Sequence, residues 1–505
     1  MMQPIVSAST SESSSTTAAG SPLDRVLVRG LAWTGAVKWL SQILSWLSTI
    51  VVARLLVPED YGVVAMAAAV LGLITLLNEF GLGAAVVALR HLTETQIAQI
   101  HSLASLFGIS GFLLTCAVAI PTGQFFGAQE VPLIMITIGA GFVILAMRSV
   151  PSALLEKDLR FKFLAFLEGG QSLVATLTTL IVAWFGGGYW ALVLGGLAGQ
   201  LAATTVIGLS RPLSYAWPTI DSMKEAIRFS SHVLTSRVSW YVAASSDVFI
   251  GGRVLGQVAV GVYSLAGTLA YVPIEKVTAL LSRVMPAIYS TVQNDPPAMR
   301  RYLLLLTEAL SLIVWPMAVG MSLVAHDFVL VVLGDKWSGV IAPLEILACW
   351  AGVRSIFGLV GPLLYVTGNS RVAMLNGLLC VATYPVGFWI GSHWGVVGLA
   401  WAWVLVQPLA FIQPYKHVLR ATQLSLWGYL RALWPALSGI TLMGACILGI
   451  QHAISADWPL AIRLGIEILI GGGVYIMSVQ LFHRQRLVML LQLIRESRKN
   501  SSVTS

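Results

Sequence analysis

The sequence has few charged residues, few cysteines and no signature of a catalytic site. Only 10% of its 505 residues are Asp, Glu, Lys or Arg, compared with about 25% in soluble proteins. No Walker, GxSxG or HExxH motif occurs and the eight histidines are scattered, so neither ATP hydrolysis nor a hydrolase site is supported. We therefore expect a protein that is not an enzyme and has no cofactor.

Cysteine chemistry is equally poorly supported. The cysteines lie singly in apolar runs, without a CxxC pair or a spacing typical of metal ligands; they are Cys116, Cys349, Cys380 and Cys446. This pattern favours small buried residues over a disulfide framework or a metal site.

Long hydrophobic runs dominate what is present. Hydrophobic residues make up 57% of the chain and the mean hydropathy is +0.82. Because a bilayer core requires about 20 helical residues, the runs predict an all-α polytopic membrane protein with about fourteen transmembrane helices. The predicted spans are residues 30–53, 62–80, 100–120, 131–150, 164–185, 188–209, 229–251, 256–277, 303–325, 340–366, 372–390, 395–412, 429–450 and 459–482.

The basic residues predict the orientation of these spans. If the Ser/Thr-rich residues 1–24 form a disordered cytoplasmic leader, inside segments contain 23 Lys and Arg and outside segments contain four. This is a strong positive-inside bias, so both termini are predicted to be cytoplasmic. It also explains the net charge of +8 without a nucleic-acid partner. The basic tail, residues 483–505, is expected to contact anionic lipids of the inner leaflet.

An internal repeat appears when the chain is compared with itself at an offset of 199 residues. Arg54 then aligns with Arg253, and Gly62 aligns with Gly261. The repeat predicts two six-helix lobes of the same orientation, related by an axis along the membrane normal, with a substrate path between them. The predicted units are residues 25–210 and 222–420 for the lobes and 421–482 for an additional helix pair.

The first predicted span carries a polar stripe. Its polar residues follow one another at spacings of four and three, which places them on one helix face; they are Thr34, Lys38, Ser41, Ser45 and Ser48. Lys38 aligns with Arg237 of the second lobe in the repeat. Two cations at the same depth in the membrane favour binding of a diphosphate. The alternative is that Lys38 snorkels to the inner headgroups.

Other charged residues also lie in or beside spans. Arg354 is expected to pair, for instance with Asp247, or to bind an anion. Arg54 and Arg253 lie at the outer helix ends and either contact headgroups or receive phosphate. Asp247 is a candidate for a coupling proton or Na⁺, with ordinary charge pairing as the alternative.

Four segments carry a resemblance to a known family. They are WLSTIVVARLLVPEDYGVVAMAAAVLGLITLLNEFGLGAAVV, LTETQ, MRSVPSALLEKDLRFKF and GGGYWALVLGG. They resemble bacterial polysaccharide exporters of the Wzx type, particularly the colanic-acid and xanthan branch. The resemblance covers roughly residues 25–420 and implies the fold of the MATE transporters and the lipid II flippase, with two six-helix lobes around a cavity.

The resemblance also implies a function. The expected activity is transfer of undecaprenyl-diphosphate-linked repeat units to the outer leaflet of the inner membrane, with a polymerase complex as a further partner. Cationic residues in the first helix of each lobe are typical of this branch, and Lys38 and Arg237 match that place; a lysine there lacks the bidentate grip of arginine. A MATE-like multidrug antiporter and a non-transporting scaffold of a glycan assembly complex are the alternatives.

Overall fold

The computed structural model describes residues 48–78, 86, 92–158, 160–217, 224–454, 458–484 and 486. These residues are predominantly helical, and no strand occurs among them. The predicted leader, Lys38 and most of the basic tail lie outside the described residues. Arg237 lies in a described helix, but its side chain is not described.

The first lobe begins with the first predicted span, called here the opening helix, of which residues 48–55 are the described C-terminal part. The following helices are α1 (Pro58–Asn78), α2 (Glu94–Phe126), α3 (Val131–Lys157), α4 (Phe161–Trp184) and α5 (Trp190–Ser210). Helix α2 begins at a capping box between Thr93 and Gln96 and ends at Gly127, whose φ of 68° closes the helix in the left-handed conformation.

The second lobe and the C-terminal pair are built from longer helices. They are α6 (Lys224–Thr291), α7 (Pro296–Leu323), α8 (Ala325–Phe328), a π-helical turn (Val329–Leu333), a 3₁₀ turn (Asp335–Val340), α9 (Ile341–Phe357), α10 (Val360–Val366), α11 (Ser370–Ser392), α12 (Gly395–Ala421), α13 (Leu426–Ala453) and α14 (Leu460–Phe482). We call α8 and the two turns after it the 325–340 segment.

Helix α6 is a hairpin of two spans. Its backbone leaves the helical conformation at Gly256, where φ is 81°. The hydroxyl of Tyr263 donates a 2.9 Å hydrogen bond to Asp247, 16 residues earlier. In a straight helix these residues would be about 24 Å apart, so the chain reverses direction at Gly256, between the predicted spans 229–251 and 256–277.

The described helices account for most of the predicted spans. Twelve of them are long and apolar enough to cross a membrane, and the one that contains Gly256 provides two crossings. The opening helix, which would complete the predicted fourteen, lies mostly outside the described residues. The prediction of an all-α polytopic membrane protein is therefore confirmed.

One predicted span, residues 340–366, is not a continuous helix. Helix α9 ends at Phe357 and α10 begins at Val360. Pro362 lies in the first turn of α10, where its missing N–H removes no helical hydrogen bond, whereas within a continuous helix it would remove one. The break places Arg354 in the last turn of α9.

The contacts between α1 and α6 follow the internal repeat. A Cβ atom at Gly62 would lie 1.9 Å from the carbonyl oxygen of Gln257, and a Cβ atom at Gly261 would lie 1.8 Å from that of Pro58. Pro58 and Gln257 differ by the same 199 residues as the two glycines. Such a reciprocal contact is what a twofold axis produces, so the axis between the two lobes passes close to this point.

The C-terminal pair packs against α7 of the second lobe. Buried Met443, Ile447, Tyr475 and Val479 form its apolar contact, and the Tyr475 hydroxyl donates a 2.7 Å hydrogen bond to the carbonyl of Leu312. The pair is thus fixed to one lobe only among the described residues, and its boundaries at 421 and 482 remain predictions, like those of the lobes.

Candidate functional site

Arg54 and Arg253 make equivalent contacts across the two lobes. Arg54 of the opening helix donates through Nε to the carbonyl of Val332 at 2.7 Å and through Nη2 to that of Val331. Arg253 of α6 donates through Nη1 to the carbonyl of Phe125 at 2.9 Å, at the end of α2. Each arginine therefore binds backbone carbonyls beyond the third span of the opposite lobe.

Lys336 and Trp337 strengthen this contact from the second lobe. Lys336 Nζ donates to the carbonyls of Arg54 and Leu56 at 2.8 and 2.6 Å. The buried Trp337 indole donates to the carbonyl of Ala53 at 2.7 Å. These donors satisfy carbonyls at the C-terminal end of the opening helix, where no helical N–H is available.

We call Arg54, Arg253, Lys336 and Trp337 the outer closure, following the predicted orientation. A further contact between the lobes lies deeper, where the Tyr241 hydroxyl of α6 donates to the carbonyl of Ala69 in α1 at 2.9 Å. The lobes are thus in contact from the outer helix ends to about the middle of α1. This arrangement leaves no open path between α1 and α6 at that end.

Asp247 lies below the outer closure in a buried polar cluster. Its Oδ2 atom accepts hydrogen bonds from the Tyr263 hydroxyl at 2.9 Å and the Trp403 indole at 3.2 Å, and the same indole lies 2.8 Å from the Tyr263 oxygen. Asp247 is 8% exposed. Burial of a carboxylate among neutral donors is costly, which makes Asp247 a candidate to bind a proton.

Arg354 lies beside this cluster but does not form the expected ion pair with Asp247. Its guanidinium carbon is 4.7 Å from the ring centroid of Tyr271 and 5.2 Å from that of Trp403. It interacts with Asp247 electrostatically, without an ion pair among the described contacts. Cation–π contacts of this kind are stronger for a stacked, planar guanidinium than for an ammonium group.

The predicted cations occupy different depths. Arg237 precedes Arg253 by 16 residues on α6, about 24 Å along the helix axis, and only its backbone is described. Lys38 is its repeat equivalent in the opening helix and lies before the described part. The structure therefore brings Arg354 and Asp247 together and places Arg54 and Arg253 in the outer closure, while the diphosphate role of Lys38 and Arg237 stays a prediction.

Several residues of the site were not predicted from the sequence. Tyr263, Tyr271 and Trp403 surround Asp247 and Arg354, yet each lies in an apolar run where an aromatic residue carries no distinguishing signal. Lys336 and Trp337 form a DKW segment between two spans, and a lysine beside a tryptophan is typical of a membrane interface. Only the contact with the opening helix reveals their role.

Among the residues that the structure describes, no group of three or more His, Cys, Asp or Glu side chains is arranged to hold a metal ion. The four cysteines are unpaired. The chemistry available at the candidate site is therefore that of cations, aromatic rings and titratable carboxyl groups.

Comparison with known proteins assigns the family. Residues 51–342, more than half of the chain, match the family described as "Polysaccharide biosynthesis protein". The chain is 22% identical to the lipopolysaccharide biosynthesis protein WzxC of Escherichia coli, over 84% of this chain and 87% of that protein. It is also 22% identical to the teichuronic acid biosynthesis protein TuaB of Bacillus subtilis, over 76% of this chain and 82% of that protein.

Solved structures assign the fold. The lipid II flippase MurJ in an inward closed conformation matches with a TM-score of 0.72 and 14% identity, over 90% of this chain and 99% of that one. An inward-facing multidrug resistance MATE transporter of the MOP superfamily matches with a TM-score of 0.57 and 15% identity, over 76% and 96% of the two chains. The chain belongs to the polysaccharide biosynthesis protein family, and its fold is that of the matched flippase and multidrug transporter structures.

Proposed function

We propose that this protein moves undecaprenyl-diphosphate-linked oligosaccharide repeat units from the inner to the outer leaflet of the bacterial inner membrane. The repeat units would serve exopolysaccharide or lipopolysaccharide biosynthesis. Both termini are cytoplasmic in this proposal, and a polysaccharide polymerase complex receives the product on the outer side.

The observation that carries the proposal is the outer closure. It joins the two lobes through hydrogen bonds from a few side chains to backbone carbonyls, beside the buried Trp337 and the close packing of α1 on α6 at Gly62 and Gly261. Charged donors at helix ends can exchange these carbonyls for water at low cost, because the groups involved are largely exposed. We infer that the lobes separate at this end and tilt against each other on either side of their twofold axis, as alternating access requires.

Cations between the lobes would carry the headgroup. A diphosphate taken through a low dielectric needs opposite charge to offset the loss of hydration. Arg354 presents its guanidinium beside aromatic rings without an ion-pair partner among the described contacts. We infer that Arg354 holds the headgroup at mid-membrane, after Lys38 and Arg237 bind it nearer the cytoplasm and before Arg54 and Arg253 meet it outside.

A cation-coupled multidrug antiporter is the second candidate. The MATE fold and the buried Asp247 favour it, because such a transporter needs a titratable carboxyl group in the membrane. The same carboxyl group serves equally as a coupling-ion site for a flippase. Drug-resistance tests on a deletion strain separate the two functions, since only an antiporter deletion raises drug sensitivity while polymer export stays normal.

The sidedness of radiolabelled lipid-linked repeat units in a deletion strain tests the proposal. We expect complete repeat units to accumulate in the inner leaflet, beyond the reach of an added lectin or glycosidase, and to move outward when the wild-type gene is restored. Normal outward movement in the deletion strain would refute the flippase function.

Neutralising two cations distinguishes a flippase from a scaffold. We expect the double variant Lys38→Ala, Arg237→Ala to lose polymer export while its amount in the membrane is unchanged. The control removes two exposed cytoplasmic charges, Arg371→Ala and Lys416→Ala, and should export normally. Export that survives the first double variant would favour a scaffold, which needs no intramembrane charge.

A further inference from the structure

A buried ionic cluster joins the C-terminal helix pair to the outer closure. Arg463 of α14 donates through Nε and Nη2 to the two carboxylate oxygens of Asp327, in the first turn of the 325–340 segment. Asp327 is 2% exposed and Arg463 19%. Further along the same segment, the carbonyls of Val331 and Val332 accept from Arg54. The segment is therefore held by α14 on one side and by the opening helix on the other.

Glu467 is the unusual member of this cluster. It lies one helical turn after Arg463 and is completely buried. Neither carboxylate oxygen accepts a hydrogen bond of regular geometry, the neutral Gln451 amide is its only weak donor among the described groups, and Arg463 Nε is 3.8 Å away. Because Arg463 directs its planar fork at Asp327, its charge is already committed to another carboxylate.

The groups that face Glu467 do not compensate a second negative charge. Asp327 and His326 face it from α8, Arg463 from its own helix, and the neutral Gln451 amide from α13. His326 is 57% exposed and its Nδ1 atom lies 3.0 Å from Asp327, where it also interacts with Glu345 of α9. One arginine thus faces two buried carboxyl groups, and an exposed imidazole connects them to outer water.

We propose that Glu467 is a proton-binding site that controls the outer closure. With a proton on its carboxyl oxygen, Glu467 is neutral and Arg463 holds Asp327 with both donors, which fixes the 325–340 segment. When Glu467 releases that proton to water, its carboxylate attracts Arg463 and repels Asp327. The segment then loosens, and its contacts with Arg54 and the opening helix weaken.

The proposal fixes the direction in which proton binding is coupled to closure of the outer side. Protons from the outer side would favour the outer-closed state, and their release would favour outer opening. A proton that binds after cargo has left would reset the transporter towards the cytoplasm. This inference rests on the proposed alternation of the lobes, but not on the identity of the cargo.

Distances between spin labels test the inference without any substrate. The labels are placed at exposed Gln129 of the first lobe and Ser338 of the 325–340 segment, in full-length protein whose four native cysteines are replaced by alanine and which is held in lipid nanodiscs. We expect the distance to lengthen between about pH 5.5, where the proposal has Glu467 protonated, and about pH 8.5, where it has Glu467 ionised. Glu467→Gln, which imitates the protonated acid, should remain at the short distance throughout.

Two further variants make the result decisive. Asp327→Asn removes the carboxylate that Arg463 holds and should give the long distance at both pH values. Glu345→Gln removes an exposed carboxyl group near His326 and should titrate like the parent protein. The proposal is overturned if the distance between the labels lengthens with pH in Glu467→Gln as it does in the parent. It is also overturned if the distance in the parent does not change with pH.

Infrared difference spectra provide a second measurement that does not depend on movement. Acidification should produce a carboxylic acid C=O band that Glu467→Gln lacks and Glu345→Gln retains. The same band in Glu467→Gln would assign the proton to another group. Since neither experiment contains lipid-linked sugar, their failure would leave the sidedness test of the flippase function unaffected.

Discussion

Arg354 places its positive charge at the C-terminal end of a membrane helix. It lies in the last turn of α9, close to free backbone carbonyls that favour a cation, and two aromatic rings cover its guanidinium. These contacts hold the charge in place, beside the Tyr271 hydroxyl and within electrostatic reach of Asp247. At the residue scale, the site is thus a positioned cation rather than a neutralised one.

Substitutions of Arg354 should distinguish the contribution of its charge to export from that of its planar shape. Arg354→Gln removes the charge, and we expect export to fall by at least about tenfold, since loss of an interaction worth about 1.4 kcal/mol has that effect. Arg354→Lys keeps the charge but loses planar stacking, worth about 0.5 to 2 kcal/mol, and should fall less. Polymer in the medium, divided by the amount of protein in the membrane, is the measurement. Equal export by the glutamine variant and the parent would exclude a role in transport.

The sequence indicates Arg354 as a candidate functional residue, but it does not predict which residues surround the side chain. A lone arginine in an apolar run indicates function because the charge is costly there. Of the alternatives for Arg354, the ion pair with Asp247 does not occur among the described contacts, in which Tyr263 and Trp403 donate to that carboxylate. These partners lie 16 and 156 residues from Asp247, and no local pattern specifies such distances along the chain.

At the scale of elements, α1 and α6 approach each other through paired glycines. The positions of Gly62 and Gly261 in the two repeats predicted their equivalence but not that they touch. Alanine at Gly261 would place its Cβ atom 1.8 Å from the Pro58 carbonyl oxygen, so the helices would have to separate. We expect Gly261→Ala to lower stability by about 1 to 3 kcal/mol.

Thermal unfolding of purified protein measures this effect. Gly196→Ala in α5 is the control, because no heavy atom lies within 4 Å of the added Cβ atom and alanine favours a helix. The control should be neutral or slightly stabilising. If both variants unfold together with the parent, the close contact of α1 with α6 contributes nothing to the folded state.

The ion pair between Asp327 of α8 and Arg463 of α14 is called here the clamp. The stability that it provides should depend on pH in a defined direction. Burial raises the pKa of the Asp327 carboxyl, but hydrogen bonds and charge from Arg463 and His326 outweigh this effect, and the net pKa lies below its ordinary value of 3.8. The stability that the ion pair provides is therefore present above that ordinary value. It is lost only as the pH falls through the lowered pKa.

Asp327→Asn should accordingly lower stability at neutral pH by on the order of 3 kcal/mol, because it leaves a partly buried arginine without its partner. The difference from the parent in thermal unfolding should persist at the ordinary value of 3.8 and shrink only at lower pH, as the parent carboxyl passes through its lowered pKa. A difference that is constant over this range would show that the ion pair is not its cause.

The clamp also marks what sequence reasoning missed at this scale. Arg463 and Glu467 have the i, i+4 spacing that is typical of a helical ion pair. Asp327 captures the arginine instead, from a segment 136 residues away. The fold class followed from hydropathy because span length is a local property, whereas the choice of ionic partners depends on how distant helices pack.

At the scale of the whole molecule, the twofold arrangement makes the outer closure a contact that both lobes share. Arg54 and Arg253 are repeat equivalents, and each binds carbonyls at the end of the opposite lobe. If the lobes rock during transport, both contacts must break in every cycle. A reversible lock across this surface therefore tests whether movement of the lobes is required at all.

We expect a reducible cross-link between cysteines at residues 54 and 332 to stop export. Arg54 Nε lies 2.7 Å from the Val332 carbonyl oxygen, so a bifunctional thiosulfonate can bridge Arg54→Cys and Val332→Cys only while the outer end is closed. Lipid-linked repeat units should then accumulate in the inner leaflet, and reduction should restore their outward movement. Each single cysteine variant, treated in the same way, shows how much export is lost through modification alone. If the cross-linked protein exports at the rate of these single variants, cargo crosses without separation of the outer ends, and alternating access fails as the mechanism.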